Sequence, residues 1–400
     1  MMQLEINSAT ETAERKELRS NFRRLLARSW SDEHVRERAD GKLDNGEALR
    51  SALRDGMGLY ALTVPEEHGG LGGGLVEAAI AAEELGAAMA PSRLLTATMM
   101  ARLLMSSRDR SLAGLLERTV ADNLPGAVLW PGDDATWDVT QISAAAVTGS
   151  VVQGTFAFVP EVDRSGFLLC PAAKQGRIGL AVLEPPLTAG VEIRNLRPLD
   201  LYRPLDDITL AAGCEWFDLA APVPVFTETV AAGSIVLAAE MIGGARACLE
   251  RMVTYAQQRR QFGKPIGTFQ ALKHRMVDVL VAWEAARALT YRAAAQFDDA
   301  VSRGQAAAEN VSMVRMAKSA ASDALRIASA ECIQVHGGIG FTWENPVHLY
   351  LKRWATSARL FGSPDQHRLL VYRSANAAPG DTHSGPPTAA RQLGELALGQ

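Results

Sequence analysis

Two short stretches of this chain carry residue types suited to holding a phosphate. The first is Tyr255-Ala256-Gln257-Gln258-Arg259-Arg260-Gln261-Phe262-Gly263-Lys264-Pro265-Ile266-Gly267-Thr268-Phe269-Gln270. A guanidinium presents a planar fork of donors that matches phosphate oxygens. The second is Gln334-Val335-His336-Gly337-Gly338-Ile339-Gly340-Phe341-Thr342. Glycines in succession let backbone N–H groups approach an anion or an amide-bearing ring. Each stretch also has a plain structural explanation. The first reads as a helix ending at Gly263, a Pro-containing turn, and a new helix opened by Gln270; the second reads as a helix C-cap. A third stretch, Leu351–Arg368, holds the carboxylate Asp365 close behind Phe361 and Gly362.

Other chemistries are disfavoured by the rest of the composition. The chain has 400 residues, with 41 Lys and Arg against 45 Asp and Glu, a formal net charge of −4. That excludes a strongly basic protein held to nucleic acid by phosphate contacts. Hydrophobic residues make up 48% and charged residues 22%, enough apolar material for a large core. No uninterrupted apolar run reaches ~18 residues, so no membrane span is expected. The charged first residues, Met1 to Leu18, lack the apolar segment of a signal peptide. The four cysteines, Cys170, Cys214, Cys248 and Cys332, form no C-x-x-C pair. Scattered thiols point to a reducing, cytoplasmic setting without a disulfide framework. The histidines are dispersed as well, and no protein-ligated metal is expected.

The elements that must position these stretches fall into three textures. Residues 1–123 read as helices, near Ala13–Trp30, Gly46–Met57, Leu75–Leu85 and Pro91–Leu104. Between them, Val64–Gly70 and Gly72-Gly73-Gly74 read as turns; the spacing of a dinucleotide-binding glycine loop fails at Leu75. Residues 124–227 hold short apolar runs, Ala127–Trp130, Ala146–Val152, Gly166–Leu169, Gly179–Leu183 and Ile208–Leu210, expected to form a β barrel or sandwich. From about Glu228 to residue 374 helical periodicity returns. Val230, Ser234, Leu237, Met241, Ala245, Leu249 and Met252 fall on one stripe, and further helices are expected over Phe269–Phe297 and Ala306–Gln334. With a shorter C-terminal helix these can form an antiparallel four-helix bundle, followed by a Pro/Gly-rich tail over 375–400. The expected class is α+β, in the order helical, β, helical.

In that order, the motifs resemble the acyl-CoA dehydrogenase family. The family pattern R-x-Q-F-G-x-P-I followed by F-Q is met by Arg259, Gln261, Phe262, Gly263, Pro265, Ile266, Phe269 and Gln270; its Q-x-x-G-G-x-G by Gln334, Gly337, Gly338 and Gly340. Tyr60–Glu84 is similar to the family's N-terminal region, and the resemblance spans residues 10–373. It implies FAD, an acyl-CoA substrate oxidised between Cα and Cβ, and an electron-transfer flavoprotein or similar acceptor. A carboxylate takes the α proton while the β hydride goes to the flavin. It also implies tetramers in which the flavin ring lies between one subunit's β domain and its bundle. The neighbour then reaches the pyrophosphate and adenosine with a set matched here by Arg259, Gln270, Gln334, Gly337 and Gly338, beside Gln261 and Phe262 of the same motif.

The resemblance breaks where the proton would be taken. At the family's two alternative Glu positions this chain has Phe361 and Gly233, and Ser234 stands where many members carry an Arg for the acyl-CoA. Neither Phe nor Gly can accept a proton. Of other carboxylates, Glu240 lies two turns beyond Gly233, ~10 Å along a helix, and Asp365 is a weak candidate. The T-E-P-x-x-G-S-D segment is reduced to Leu129-Trp130-Pro131-Gly132-Asp133-Asp134. In the second flavin-contact segment, Gly154–Pro160, Pro160 replaces a hydroxyl residue. What is missing serves the flavin ring and substrate; what is kept reaches a neighbour's FAD. The pattern is similar to that of actinobacterial members built as α2β2 tetramers acting on steroid side-chain thioesters. The expected function is therefore an acyl-CoA dehydrogenase subunit whose paralogous partner supplies the Glu. The alternatives are a homotetramer with a non-standard base, or a flavin monooxygenase or non-catalytic flavin scaffold on the same fold.

Overall fold

The computed structural model describes residues 11–41, 46–107, 109–122, 126–130, 139, 145–187, 189–305 and 311–376. The tail beyond 376, and Pro131-Gly132-Asp133-Asp134 of the degenerate flavin segment, lie outside them. Six helices come first: α1 (Ala13–Ser29), α2 (Asp32–Ala39), α3 (Glu47–Ser51), α4 (Leu75–Ala87), α5 (Leu94–Ser106) and α6 (Arg110–Ala121). Eight strands follow: β1 (Gly126–Val128), β2 (Ala145–Thr148), β3 (Val151–Pro160), β4 (Phe167–Lys174), β5 (Arg177–Leu183), β6 (Val191–Asn195), β7 (Leu205–Gly213) and β8 (Glu215–Asp218). The last third holds α7 (Pro222–Gln258), a small hairpin of β9 (Arg260–Gln261) and β10 (Lys264–Pro265), α8 (Gln270–Ser302), α9 (Val311–His336), α10 (Val347–Ser357) and α11 (Pro364–Asn376).

The strands form one mixed sheet in the order β6-β7-β3-β2-β4-β5-β8, with β1 also parallel to β4. Its alternation is clear in β7, where Ile208, Leu210 and Ala212 are buried between exposed Thr209, Ala211 and Gly213. Two expectations change here. Ala146–Val152 is a hairpin, because Gly149 at φ +62° turns the chain between Thr148 and its partner Val151. β6 and β8, absent from the sequence reading, are the outer strands of this order, and Glu, Arg, Asn and Asp dilute their apolar content.

The long helix α7 packs against α4, α5, α8, α9 and α10. It begins earlier than Glu228, at Pro222, because prolines suit a first turn whose N–H groups have no intrahelical partner. The stripe from Ser234 to Met252 is buried within the chain itself and forms part of its core. Length and apolarity alone would let α7 cross a membrane, but 89% of its most apolar stretch is buried inside the fold. The Gly72–Gly74 turn is a packed element. A Cβ on Gly74 would lie 2.5 Å from Asp298 of α8, whose carboxylate accepts from the N–H groups of Leu75 and Val76 at 2.8 and 3.0 Å and caps α4.

Two buried ionic clusters tie the layers together. In the first, Glu83 and Glu84 of α4 accept from Arg19 at 2.9 and 2.7 Å. Glu84 also meets Arg23 and Arg246, and Glu83 meets Arg287 and the hydroxyl of Tyr291. In the second, Arg203 is fully buried between Glu161 at 2.6 Å and Glu240; Arg353 of α10 reaches Glu240 at 3.1 Å and Asp200 at 3.5 Å. Glu240 is thus committed to joining α7, α10 and the β6–β7 connection.

Burial opposes the charge on Glu83 and Glu84, but the arginines outweigh it and hold both carboxyls below their ordinary value. Their stabilisation is fully present above the unfolded-state value near ~4.3 and is lost as the pH falls through the lower folded-state values. Glu83→Gln is expected to cost about 1.5–3 kcal/mol, because it takes a charged acceptor from Arg19, Arg287 and Tyr291 while Glu84 still pairs with Arg19 and Arg246. Urea unfolding of both proteins at pH 7 and pH 3 should show the difference shrinking at the lower pH.

Candidate functional site

The two phosphate-suited stretches converge at the far end of α7. This helix ends at Gln258, not at Gly263, because Arg260–Gln261 pair with Lys264–Pro265 across a two-residue turn. Both turn residues, Phe262 at φ +52° and Gly263 at φ +75°, are left-handed, as a tight hairpin turn requires. Arg259 caps α7 through its N–H to the carbonyl of Tyr255 at 2.8 Å, leaving its side chain exposed. Phe262 is 88% exposed, edge-on to Phe269. Gln261 and Gln270, the latter the first residue of α8, are exposed too.

The second stretch closes α9. Gly337 at φ +63° breaks the helix and opens a short 3-10 turn to Phe341. Gln334, Gly337 and Gly338 are exposed. The ring of His336 stacks on Tyr255 of α7, centroids 4.3 Å apart, and its Nδ1 lies 2.7 Å from the carbonyl oxygen of Cys332. This stack fixes one motif against the other and was not foreseen. Tyr255 and His336 lie inside the quoted stretches, but the sequence alone does not show that they meet. Beside this stack opens a cavity of about 400 Å³ lined by Glu250, Arg251, Thr254, Tyr255, Gln258 and His336, with Ala87 of α4. Arg259, Gly337 and Gly338 do not line this cavity; they lie exposed at the same end of α7, where a guanidinium and glycine backbone suit the pyrophosphate of a dinucleotide.

The interior end of α7 has a different chemistry. Phe361 is buried, with left-handed backbone at φ +61°. A Cβ added to Gly233 would lie 2.9 Å from Cε2 of Phe361 and 2.7 Å from Sδ of Met99. The two positions that could each carry a Glu therefore face one another, and an aromatic ring fills the space between them. Ser234 is buried beside them. Lys318 of α9, fully buried, donates at 2.9 Å to the carbonyl of Ser357 and so holds the end of α10 that leads to Phe361. Burial, with the charge of Arg203, pulls this ammonium down to about 7. Asp365 points away: its side chain is 95% exposed and pairs with Arg368 at 2.6 Å.

The sheet side of this region is also altered. β3 bulges between Phe156 and Val159, turning Phe158 outward at φ +55°. Pro160 ends the strand, and Glu161 behind it belongs to the buried cluster. Trp130 is buried edge-on against Phe226 of α7, centroids 5.8 Å apart.

Comparison with known proteins bears on this geometry. Residues 12–107 match the family described as "Acyl-CoA dehydrogenase, N-terminal domain", and residues 223–376 the one described as "Acyl-CoA dehydrogenase, C-terminal domain". The chain is 34% identical over 357 residues to acyl-CoA dehydrogenase IpdE2 of Mycobacterium tuberculosis, covering 89% of this chain and 95% of that one. It is 27% identical over 341 residues to the human mitochondrial short-chain specific acyl-CoA dehydrogenase, covering 79% of each. Among solved structures, the ChsE4-ChsE5 complex of Mycobacterium tuberculosis shares the fold with a TM-score of 0.77 at 21% identity, over 92% of this chain and 98% of that one. With both phosphate-suited motifs at one end of α7, and its full fold shared, the chain belongs to the acyl-CoA dehydrogenase family.

Proposed function

We propose that this chain is one subunit of an FAD-dependent acyl-CoA dehydrogenase and contributes the outer half of a paralogous partner's flavin site. FAD, when bound, would supply the hydride acceptor for the acyl β carbon. The residues of this chain bind and orient. Arg259 would hold the pyrophosphate with a charge-assisted fork, aided by the N–H groups of Gly337 and Gly338, and Gln261, Phe262, Gln270 and Gln334 would complete the cofactor-binding set. The α proton goes to a carboxylate of the partner. The observation that carries this reading is the contact of Phe361 with Gly233, which fills the space that either family Glu would occupy. The surface pairing of Asp365 with Arg368 removes the main support for a single-chain enzyme with a non-standard base.

The relatives support the same assembly. The ChsE4-ChsE5 structure is of a complex, and a second fold relative, Tcur3481-Tcur3483, is a steroid ACAD. We infer a fatty-acyl or steroid side-chain thioester as substrate, an α2β2 tetramer as the working state, a cytoplasmic setting, and an electron-transfer flavoprotein or similar acceptor. The division into units at 1–123, 124–227 and 228–374 is part of the same proposal.

In the assembled enzyme, Arg259→Ala is expected to weaken FAD retention by one to two decades, on the order of 1.5–3 kcal/mol, and Arg259→Lys to restore only part of it. Equilibrium dialysis of FAD measures this; unchanged affinity would show that Arg259 does not meet the cofactor.

Asp365→Asn should change turnover of the complex far less than the ~10²–10⁴-fold that a lost general base costs. Steady-state kinetics with an acyl-CoA decide it.

The interior contact has its own signature. Gly233→Ala should destabilise the chain by about 1–3 kcal/mol through overpacking, and by less in a Phe361→Leu background, since the two changes share one space. A denaturant double-mutant cycle with strictly additive effects would contradict the contact.

A further inference from the structure

The two cofactor motifs sit on loops that are anchored separately. The hairpin root is tied to α7: Arg259 donates its N–H to the carbonyl of Tyr255 at 2.8 Å, and its own carbonyl accepts from Ile266 at 2.9 Å. The segment Ile266–Thr268 behind the hairpin packs on α7 and α8. The 337–341 turn packs instead on α9 and α10. It folds back so closely that a Cβ on Gly340 would lie 2.7 Å from the carbonyl oxygen of Ile333. Each anchorage is local to its own helices, and neither sets the distance between Arg259 and Gly337.

The rings of Tyr255 and His336 bridge that gap. Tyr255 is in the last turn of α7, shortly before Arg259, and His336 ends α9, directly before Gly337. Their centroids are 4.3 Å apart and their planes 24° from parallel, a stacked pair. A second contact orients the imidazole, whose Nδ1 lies 2.7 Å from the carbonyl oxygen of Cys332. A carbonyl only accepts, so Nδ1 carries the proton in that bond. Both rings are half-buried, and His336 borders the cavity of about 400 Å³ on its open side. The stack is therefore a bridge at the rim of the fold and not one layer of its filled core.

We propose that His336 is a positioning residue: its ring, stacked on Tyr255, sets the spacing between Arg259 and the Gly337-Gly338 backbone so that both hold one FAD pyrophosphate. The inference rests on the FAD reading given above. A guanidinium and a pair of backbone N–H groups share one pyrophosphate only at a matched separation. Loops free to drift apart must be ordered when the cofactor binds, and that ordering costs affinity. Neither ring has to touch the cofactor. The flat ring carries the role, and the Nδ1 hydrogen bond only aims it.

The test uses the complex of this chain with its paralogous partner and equilibrium dialysis of FAD. His336→Phe keeps a ring and loses the Nδ1 donor. His336→Gln keeps a donor and loses the ring, and His336→Ala loses both. The FAD dissociation constant should stay within about threefold of wild type in the Phe variant and rise about tenfold in the Gln and Ala variants. Tyr255→Leu should raise it by a similar factor, and Tyr255→Leu with His336→Gln by little more than either alone, because the two changes remove one contact. With FAD saturating, kcat for an acyl-CoA should be unchanged throughout. In the isolated chain, without cofactor, amide exchange over residues 337–341 should rise several-fold in His336→Gln and not in His336→Phe. A Phe variant as weak as the Ala variant overturns the proposal, and so does unchanged exchange in His336→Gln. Unchanged FAD affinity in the Gln and Ala variants, beside a weakened Arg259→Ala, overturns it while the FAD reading stands. If Arg259→Ala is unchanged as well, the FAD reading falls and this inference falls with it. Where a variant at His336 fails to fold, Tyr255→Leu against Tyr255→Phe gives the same decision, with loss in Leu and retention in Phe expected.

Discussion

The close crossing of α4 and α7 governs the rest of the molecule. A Cβ on Gly86 would lie 2.2 Å from the carbonyl oxygen of Glu240, and one on Gly243 would lie 1.9 Å from that of Glu83. Only glycine lets the two backbones come this near. The approach puts Glu83 and Glu84 within reach of Arg246, and those carboxylates draw in arginines from α1 and α8. It also fixes α7 as a rod whose ends do different chemistry. Gly233 lies inside, against Phe361 and Met99; Arg259 follows the other end, at the surface, 26 residues or ~39 Å along the axis.

The contrast between the two ends has a physical logic. A carboxylate sealed among Met99, Phe361 and the α7 backbone would lose its hydration, a cost of several kcal/mol or a strongly raised pKa. A buried phenyl ring at the same place instead gains roughly 1.5–3 kcal/mol of apolar burial. A subunit that never meets the α proton is therefore more stable with the aromatic. The outer end is under the opposite constraint. Arg259, Gln270, Gln334, Gly337 and Gly338 stay exposed and polar, which suits groups completed by something outside the chain.

Much of this was legible in the sequence because it is local. The R-x-Q-F-G and Q-x-x-G-G motifs, the helical texture on either side of a β segment, and the loss of Glu at Phe361 and Gly233 can all be read residue by residue. The misreadings have local causes as well. Prolines at 222 and 224 look like loop but occupy a first helical turn, and two left-handed residues turn Arg260–Pro265 into a hairpin that periodicity reads as more helix. What could not be read is contact at long range. Arg19 meets Tyr291, Arg203 meets Glu240, and Tyr255 stacks on His336 only once segments far apart in the chain have packed together.

Flavin stoichiometry against subunit composition tests the division of labour most directly. The chain is expressed alone and with its paralogous partner, FAD per polypeptide is measured, and each sample is mixed anaerobically with an acyl-CoA while flavin bleaching is followed. The chain alone should hold no FAD and show no bleaching, and the complex should hold one FAD per pair of subunits and bleach. One FAD per chain in the isolated protein, reduced by the acyl-CoA, would contradict a subunit that lends half a site and no base.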